Sequence, residues 1–239
     1  RSTANRMQTI LGSGGAIGTP LATALRQFTD TVRLVSRSPK AVHPSDELVP
    51  ADLTDRAQVL RAVAGSDVVY LTIGLPYKLK VWQQDWPRVM RNVLDACIAH
   101  RTRLVYFANI YLYDRRHMGD IHESVPISPP SRKGEVRAHI VRMLWKDVTA
   151  DRLQATIARC ADFYGPDIDN GILNEMVIKP IAAGKSATWQ ASLDQPHSFT
   201  FTYDAAAATA LLGNTDAAFG HTWHLPTAPK PPTGREWVD

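Results

Sequence analysis

Thr9-Ile10-Leu11-Gly12-Ser13-Gly14-Gly15-Ala16-Ile17-Gly18 opens as a short apolar run and ends in glycine. Gly12, Gly15 and Gly18 keep the spacing G-x-x-G-x-x-G, and helix-period sequence over residues 20–28 follows at once. A strand, a glycine turn and a helix in that order let the backbone approach a pyrophosphate closely. The helix N-terminus then offers amide donors and the positive end of its dipole to the anion. Glycine turns also serve purely structural ends, so the triplet draws its meaning from its place. It follows the first strand, precedes a helix, and has a second strand, Val32-Arg33-Leu34-Val35, beyond it. The stretch predicts a dinucleotide-binding turn made of Gly12, Ser13, Gly14, Gly15, Ala16, Ile17 and Gly18.

The same alternation continues outward. Asp67-Val68-Val69-Tyr70-Leu71-Thr72, Leu104-Val105-Tyr106-Phe107-Ala108 and Ala155-Thr156-Ile157-Ala158 are brief, β-branched or aromatic runs, as strands buried on both faces should be. Helix-period segments lie between them over 56–64, 81–99 and 134–149. The pattern predicts an α/β fold: a Rossmann-type doubly wound parallel sheet occupying residues 7–165. Beyond it, Gly165-Pro166-Asp167-Ile168-Asp169-Asn170-Gly171 reads as a loop. A small substrate-side lobe is expected over 166–239, reduced or incomplete, with 195–212 packing back on the first domain. Within it a helix is expected over 172–183, a strand over 199–202, a helix over 204–212 capped by Asp204, and a strand over 221–225. A Pro-rich tail follows, with no closing amphipathic helix expected.

Composition narrows the function. In 239 residues, 27 basic against 23 acidic side chains leave a net charge of +4 spread along the chain. No dense basic stripe argues for nucleic acid. No apolar run approaches the roughly 18–20 residues that span a bilayer. Two cysteines, Cys97 and Cys160, suit a reducing cytoplasm and form no C-x-x-C. Met7 reads as the native start, with residues 1–6 as a leader without a signal peptide's apolar core. His122-Glu123 has no second His in register, and the eight histidines show no metal-ligand spacing. Gly184-Lys185-Ser186 imitates the end of a P-loop, but Lys179 stands where its first glycine belongs.

At the end of the second strand stand Ser36 and Arg37, with no carboxylate. An acid there would bind a ribose 2′-hydroxyl, whereas a guanidinium suits a 2′-phosphate. NADP(H) is therefore the preferred cofactor and NAD(H) the alternative; a solvated surface role for Arg37 stays open.

The glycine loop, Ala51-Asp52-Leu53 after the third strand and Thr72-Ile73-Gly74 after the fourth resemble a short-chain dehydrogenase/reductase. Arg91-Asn92-Val93-Leu94-Asp95-Ala96-Cys97 and Asp162-Phe163-Tyr164-Gly165-Pro166 make the chain similar to the extended and atypical members, the NAD-dependent epimerase/dehydratase-like family. The resemblance implies that Asp52 and Leu53 lie at the adenine. It puts Thr72, Ile73 and Gly74 beside the adenosine ribose and pyrophosphate, and Ala161, Asp162 and Phe163 beside the nicotinamide. It also implies a homodimer through the helices over 81–99 and 134–149.

Family catalysis uses a Ser or Thr, a Tyr, and a Lys four residues after that Tyr. Here Asn109, Lys133 and Arg137 fall at those positions, and no Tyr is followed four residues later by Lys. Tyr111 with Arg115 is the nearest imitation. With Ser131 as N-cap, Lys133 enters the first turn and Arg137 follows one turn later. The guanidinium and the helix end are expected to lower the Lys133 pKa, making it a candidate proton carrier; the alternatives are that Lys133 and Arg137 hold cofactor hydroxyls and phosphate or are solvated surface residues. Asn109 would hold the substrate oxygen, and Tyr164 is the alternative proton donor. Trp82 and Trp86, four apart, suggest core packing; Trp189 and Phe199 are placed on the substrate side. The expectation is an NAD(P)(H)-dependent oxidoreductase or epimerase-like enzyme acting on a small carbonyl or hydroxyl compound. Its rival is an NADP(H)-binding sensor or interaction protein without turnover.

Overall fold

The computed structural model describes residues 6–166, 168, 171–190 and 192–239. Seven parallel strands form the central sheet: β1 (Gln8–Leu11), β2 (Val32–Ser36), β3 (Glu47–Pro50), β4 (Val68–Leu71), β5 (Arg103–Ala108), β6 (Ala155–Arg159) and β9 (Thr222–His224). Their order across the sheet is β3-β2-β1-β4-β5-β6-β9. β1 pairs on both sides, Ile10 lying against Leu34 of β2 and Tyr70 of β4. β1, β4 and β6 are buried along their whole length, because helices cover both faces. The edge strand β3 is mostly exposed, bears the Arg33–Glu47 ion pair (3.1 Å), and ends in Pro50.

One face carries α2 (Arg56–Val63), α3 (Leu79–His100) and α4 (Arg132–Thr149), which share a core with Leu11, Leu71, Leu104 and Ile157. On the other, α1 (Gly18–Ala24) and α6 (Thr202–Gly213) enclose Ile10, Leu34, Val68, Val105 and Ala158. Helix α2 starts where the Asp55 carboxylate accepts the Gln58 amide, and α4 where Ser131 Oγ accepts the Gly134 amide (3.1 Å). Trp82 and Trp86 are both buried, as their spacing suggests. A buried polar cluster ties α6 to the sheet. The Tyr70 hydroxyl donates to Gln8 Oε1 (2.7 Å), and Gln8 Nε2 donates to Asn214 Oδ1 (2.8 Å). Buried polar atoms stay inexpensive only when paired in this way.

The C-terminal part differs from expectation in detail. β7 (Asp162–Tyr164) and β8 (Phe199–Phe201) form a separate parallel pair. The segment expected as one helix over 172–183 contains a π-helical stretch, Asn174–Ile178, before the short α5 (Lys179–Ala182). Asp204 does not cap α6: the helix begins at Thr202 after Phe201, which leaves Asp204 inside the first turn. Beyond the Pro-rich stretch lies a short helix, α7 (Gly234–Val238), started by a capping box between Thr233 and Glu236. Trp237 and Val238 of α7 pack onto Leu173, Val177 and Phe199. Five residues are too few to show the periodicity that would have announced this helix.

Among the described residues no helix is long and apolar enough to cross a membrane, and no cluster of His, Cys, Asp or Glu could hold a metal ion. Both cysteines are buried and unpaired, and burial pushes each thiol up to about 12.

Candidate functional site

A cavity of about 900 Å³ lies over the carboxyl ends of β1, β2, β4 and β5. Crevices form there in open parallel sheets because neighbouring connections leave on opposite faces. Its wall includes residues 12–17, Ser36, Arg37, Asp52, Leu53, residues 72–74, Asn109, Arg137 and residues 161–163. Nearly every residue that the sequence proposed is therefore brought to one space.

The glycine loop is clamped between two strand ends. Gly12 and Ser13 donate backbone hydrogen bonds to the Val35 carbonyl (2.9 and 3.0 Å), and Thr72 donates to that of Leu11 (2.9 Å). Gly12 has φ +101°, and a Cβ there would lie 2.5 Å from the Ile73 backbone. No other residue fits that turn without strain. Gly18 is off the cavity wall but permits its shape, since a Cβ would stand 2.7 Å from the Gly12 carbonyl oxygen. Ser13 Oγ is buried without a hydrogen-bond partner, and the N-cap of α1, Ile17, has no side-chain acceptor for the first-turn amides. Donors lacking protein acceptors beside an open glycine cradle suit a phosphate-bearing ligand.

Farther along, Arg37 is exposed and makes no ion pair among the described residues. Asp52 Oδ1 accepts from Thr54 N (2.9 Å) and Oγ1 (2.8 Å). Those bonds, helped by the Arg37 charge, hold the Asp52 carboxyl below its usual range. The Leu53 carbonyl accepts from Asn92 Nδ2 of α3 (3.0 Å), which fixes this segment from beneath.

At the opposite end the wall is aromatic. The Trp82 and Tyr111 rings stack at 6.5 Å and 15°, and Tyr77 meets Trp82 edge-on at 5.3 Å. The Arg137 guanidinium lies over Trp86 (4.0 Å) and Trp82 (4.5 Å), and its Nη1 donates to the Tyr106 hydroxyl (2.7 Å). Gly134 lets α4 come this close, because a Cβ there would overlap the Tyr111 carbonyl. Asn109 Oδ1 accepts the Tyr111 amide (3.3 Å), and its backbone carbonyl accepts from buried Arg159 (2.9 Å). Its side-chain NH2 is left without a protein partner among the described residues. Burial, reinforced by the Asp162 carboxylate and Tyr77, pushes the Tyr111 hydroxyl well above its ordinary pKa; Arg137 opposes this. Tyr111 therefore stays protonated.

Lys133 and Tyr164 are not on the wall. Lys133 Nζ donates to the Tyr77 carbonyl (3.1 Å) and sits 3.0 Å above the Tyr77 ring. Its pKa is lowered by desolvation, not by Arg137, whose guanidinium is turned inward beneath the tryptophans. Tyr164 is engaged by Phe201 (5.5 Å) and Trp237 (5.8 Å). Trp189 and Phe199, expected on the substrate side, instead belong to the small core that receives α7. Tyr77, Trp82, Asp85 and Tyr111 are among the wall residues that sequence reasoning did not place in the site. Arg115, the imagined partner of Tyr111, is exposed in a separate turn, Arg115–His117.

The model of the NAD dependent epimerase/dehydratase family matches residues 9–224. A search of curated proteins found no match. Among solved structures, a UDP-N-acetylglucosamine 4-epimerase from Bacillus cereus is 16% identical with a TM-score of 0.79, covering 98% of this chain and 79% of that one. A UDP-glucose 4-epimerase from Thermus thermophilus, complexed with NAD, is 17% identical with a TM-score of 0.78 (98% and 81% covered). A dTDP-glucose 4,6-dehydratase from Streptomyces venezuelae, with NAD and TYD bound, is also 17% identical, with a TM-score of 0.83 (97% and 79% covered). At such identities the likeness speaks for the fold.

Proposed function

The chain belongs to the NAD dependent epimerase/dehydratase family, and from that premise we propose an NADP(H)-preferring enzyme that interconverts a carbonyl and a hydroxyl on a small substrate. One observation carries the reading: a single cavity joins the glycine loop and Arg37 at one end to Asn109, Tyr111 and Arg137 at the other. The orphaned Ser13 hydroxyl, the open cradle and Arg37, which has no ion pair among the described residues, fit a dinucleotide. In this reading residues 12–17 hold the pyrophosphate and Ser36 and Arg37 the 2′-phosphate. Asp52, Leu53 and residues 72–74 take the adenosine, and residues 161–163 flank the nicotinamide. Bound there, the dinucleotide supplies or accepts a hydride.

The chain's own groups handle the oxygen. The Asn109 side-chain NH2, which has no protein partner among the described residues, orients the substrate carbonyl, and the Tyr111 hydroxyl donates to it. As the carbon is reduced, the C=O π pair moves onto oxygen, which takes the Tyr111 proton. Burial keeps the Tyr111 hydroxyl protonated and available as the donor, and makes it a weaker acid than a free phenol. Tyr77, largely exposed and packed edge-on to Tyr111 (6.5 Å), is the route by which solvent restores the proton. Lys133, bonded to the Tyr77 carbonyl, steadies Tyr77 and is not assigned the proton-carrying role. The outer faces of α3 and α4 remain the proposed dimer surface, checked by the mass of the protein in solution.

The test is a carbonyl panel followed through the absorbance of reduced nicotinamide. Oxidation of NADPH by a panel member, lost in Asn109→Ala and Tyr111→Phe, supports the assignment. Binding of NADPH with turnover of nothing in the panel would favour the sensor.

A further inference from the structure

We propose that the aromatic end of the cavity is a receptor for a carboxylate, with Arg137 as the recognising group, so that the substrate is a carboxylate-bearing carbonyl or hydroxy compound. The inference rests on the proposed cofactor and substrate cavity and names the substrate class for it.

Arg137 is only 9% exposed, yet it lines the cavity. Of its five N–H donors, one meets a protein acceptor, the Tyr106 hydroxyl, and Nε is buried with none. Among the described residues no carboxylate pairs with it. Buried charges are normally matched by an opposite charge, since desolvation is costly otherwise. Stacking on Trp82 and Trp86 steadies the planar cation but leaves its net charge in place. The missing counter-charge is thus left for a ligand.

The surroundings choose the anion. Arg37 and Arg137 are the two cations on the wall, and Arg37 stands at the far end beside Asp52. Two acids, Asp85 and Asp162, also reach the wall near the aromatic end, and Asp162 Oδ2 is 3.1 Å from His197 Nε2. Among the described residues Arg137 is the one cation on the wall at this end, buried Arg159 behind it being turned to the Asn109 carbonyl; with Asp85 and Asp162 nearby, one accessible guanidinium suits a monoanion better than a phosphate dianion. The guanidinium fork matches a planar carboxylate, and the Tyr111 ring lines the same space for an aromatic acid.

The probes are benzoate, its neutral analogue benzyl alcohol, and phenyl phosphate, each titrated calorimetrically into the full-length protein, with NADPH titrated in a parallel run. Benzoate is expected to bind at least tenfold more tightly than either competitor. In Arg137→Met that preference disappears, and Arg137→Lys, which keeps the charge but loses the fork, retains only part of it. Equal binding of benzoate and benzyl alcohol by the unsubstituted protein would overturn the proposal without recourse to any variant. Stronger binding of phenyl phosphate would overturn the choice of a monoanion. NADPH binding without acid preference refutes the receptor alone; acid preference without NADPH binding refutes the dinucleotide reading alone.

Discussion

Replacing Gly15 by alanine separates what the glycine loop does for a ligand from what it does for the fold. Gly15 lines the cavity, and a Cβ built on it meets nothing nearer than the Gly12 carbonyl oxygen at 3.9 Å. Its backbone also lies outside the positive-φ region, unlike Gly12. Alanine is therefore tolerated, and the stiffer unfolded chain stabilises the protein by about 0.4–1 kcal/mol. The methyl group projects where a pyrophosphate would approach the loop. Losing one charge-assisted hydrogen bond costs about 1.5–3 kcal/mol, or roughly 10–100-fold in Kd. The assay is thermal unfolding beside NADPH titration by nicotinamide fluorescence. The variant should melt at or above the unsubstituted protein and bind NADPH at least tenfold more weakly. Unchanged NADPH affinity at unchanged stability would refute the assignment of the loop to the pyrophosphate.

Gly12→Ala should behave oppositely: positive φ and the 2.5 Å approach to Ile73 predict a loss of about 1–3 kcal/mol or more, read as a lower Tm. Arg37→Ser should lower the ratio of NADPH to NADH affinity by about tenfold or more, measured by paired titrations; an unchanged ratio would return Arg37 to the role of a surface residue. Tyr111→Phe should cut turnover by about 10²–10⁴-fold while sparing NADPH affinity. Because burial raises the Tyr111 pKa, the pH profile of carbonyl reduction should show no loss from its ionisation until the pH is above its ordinary value of 10.0. Asp147 is buried between Arg91 (2.8 Å) and Arg152; burial works against its charge, but the two guanidinium bonds prevail and its pKa falls. Its contribution is therefore full above the ordinary carboxylate value of 3.8 and fades as pH drops through the lower folded value. Asp147→Asn should cost about 1–3 kcal/mol at neutral pH and flatten the acid limb of a denaturation series.

The parts legible in the sequence are those governed by local periodicity. β1, β2, β4, β5 and β6 are short apolar runs, and the glycine turn can be read because its residues are adjacent. The third strand, Glu47–Pro50, sits at a solvated edge and needs no apolar run, so only the segment following it signals its place. The end of the cavity beside the glycine loop is legible for the same reason as the turn: each strand end delivers a contiguous segment to the wall. At the aromatic end, by contrast, Tyr77, Trp82, Tyr111 and Arg137 come from a loop, α3, the turn after β5 and α4, and only tertiary packing joins them. Lys133 and Arg137 lie one helical turn apart, yet Arg137 is drawn under the tryptophans while Lys133 stays at the rim on Tyr77. Charge alone could not distinguish them; the buried ring faces did. Tyr164 was placed by its neighbours in sequence, and the aromatic core around α7 claimed it.

The account stands most directly on titration of the full-length protein with NADPH and NADH, followed by energy transfer from tryptophan to the bound nicotinamide. It predicts saturable binding at one site per chain, tighter for NADPH and weakened by Gly15→Ala. Failure of both dinucleotides to bind at millimolar concentration, with the protein folded, would contradict it.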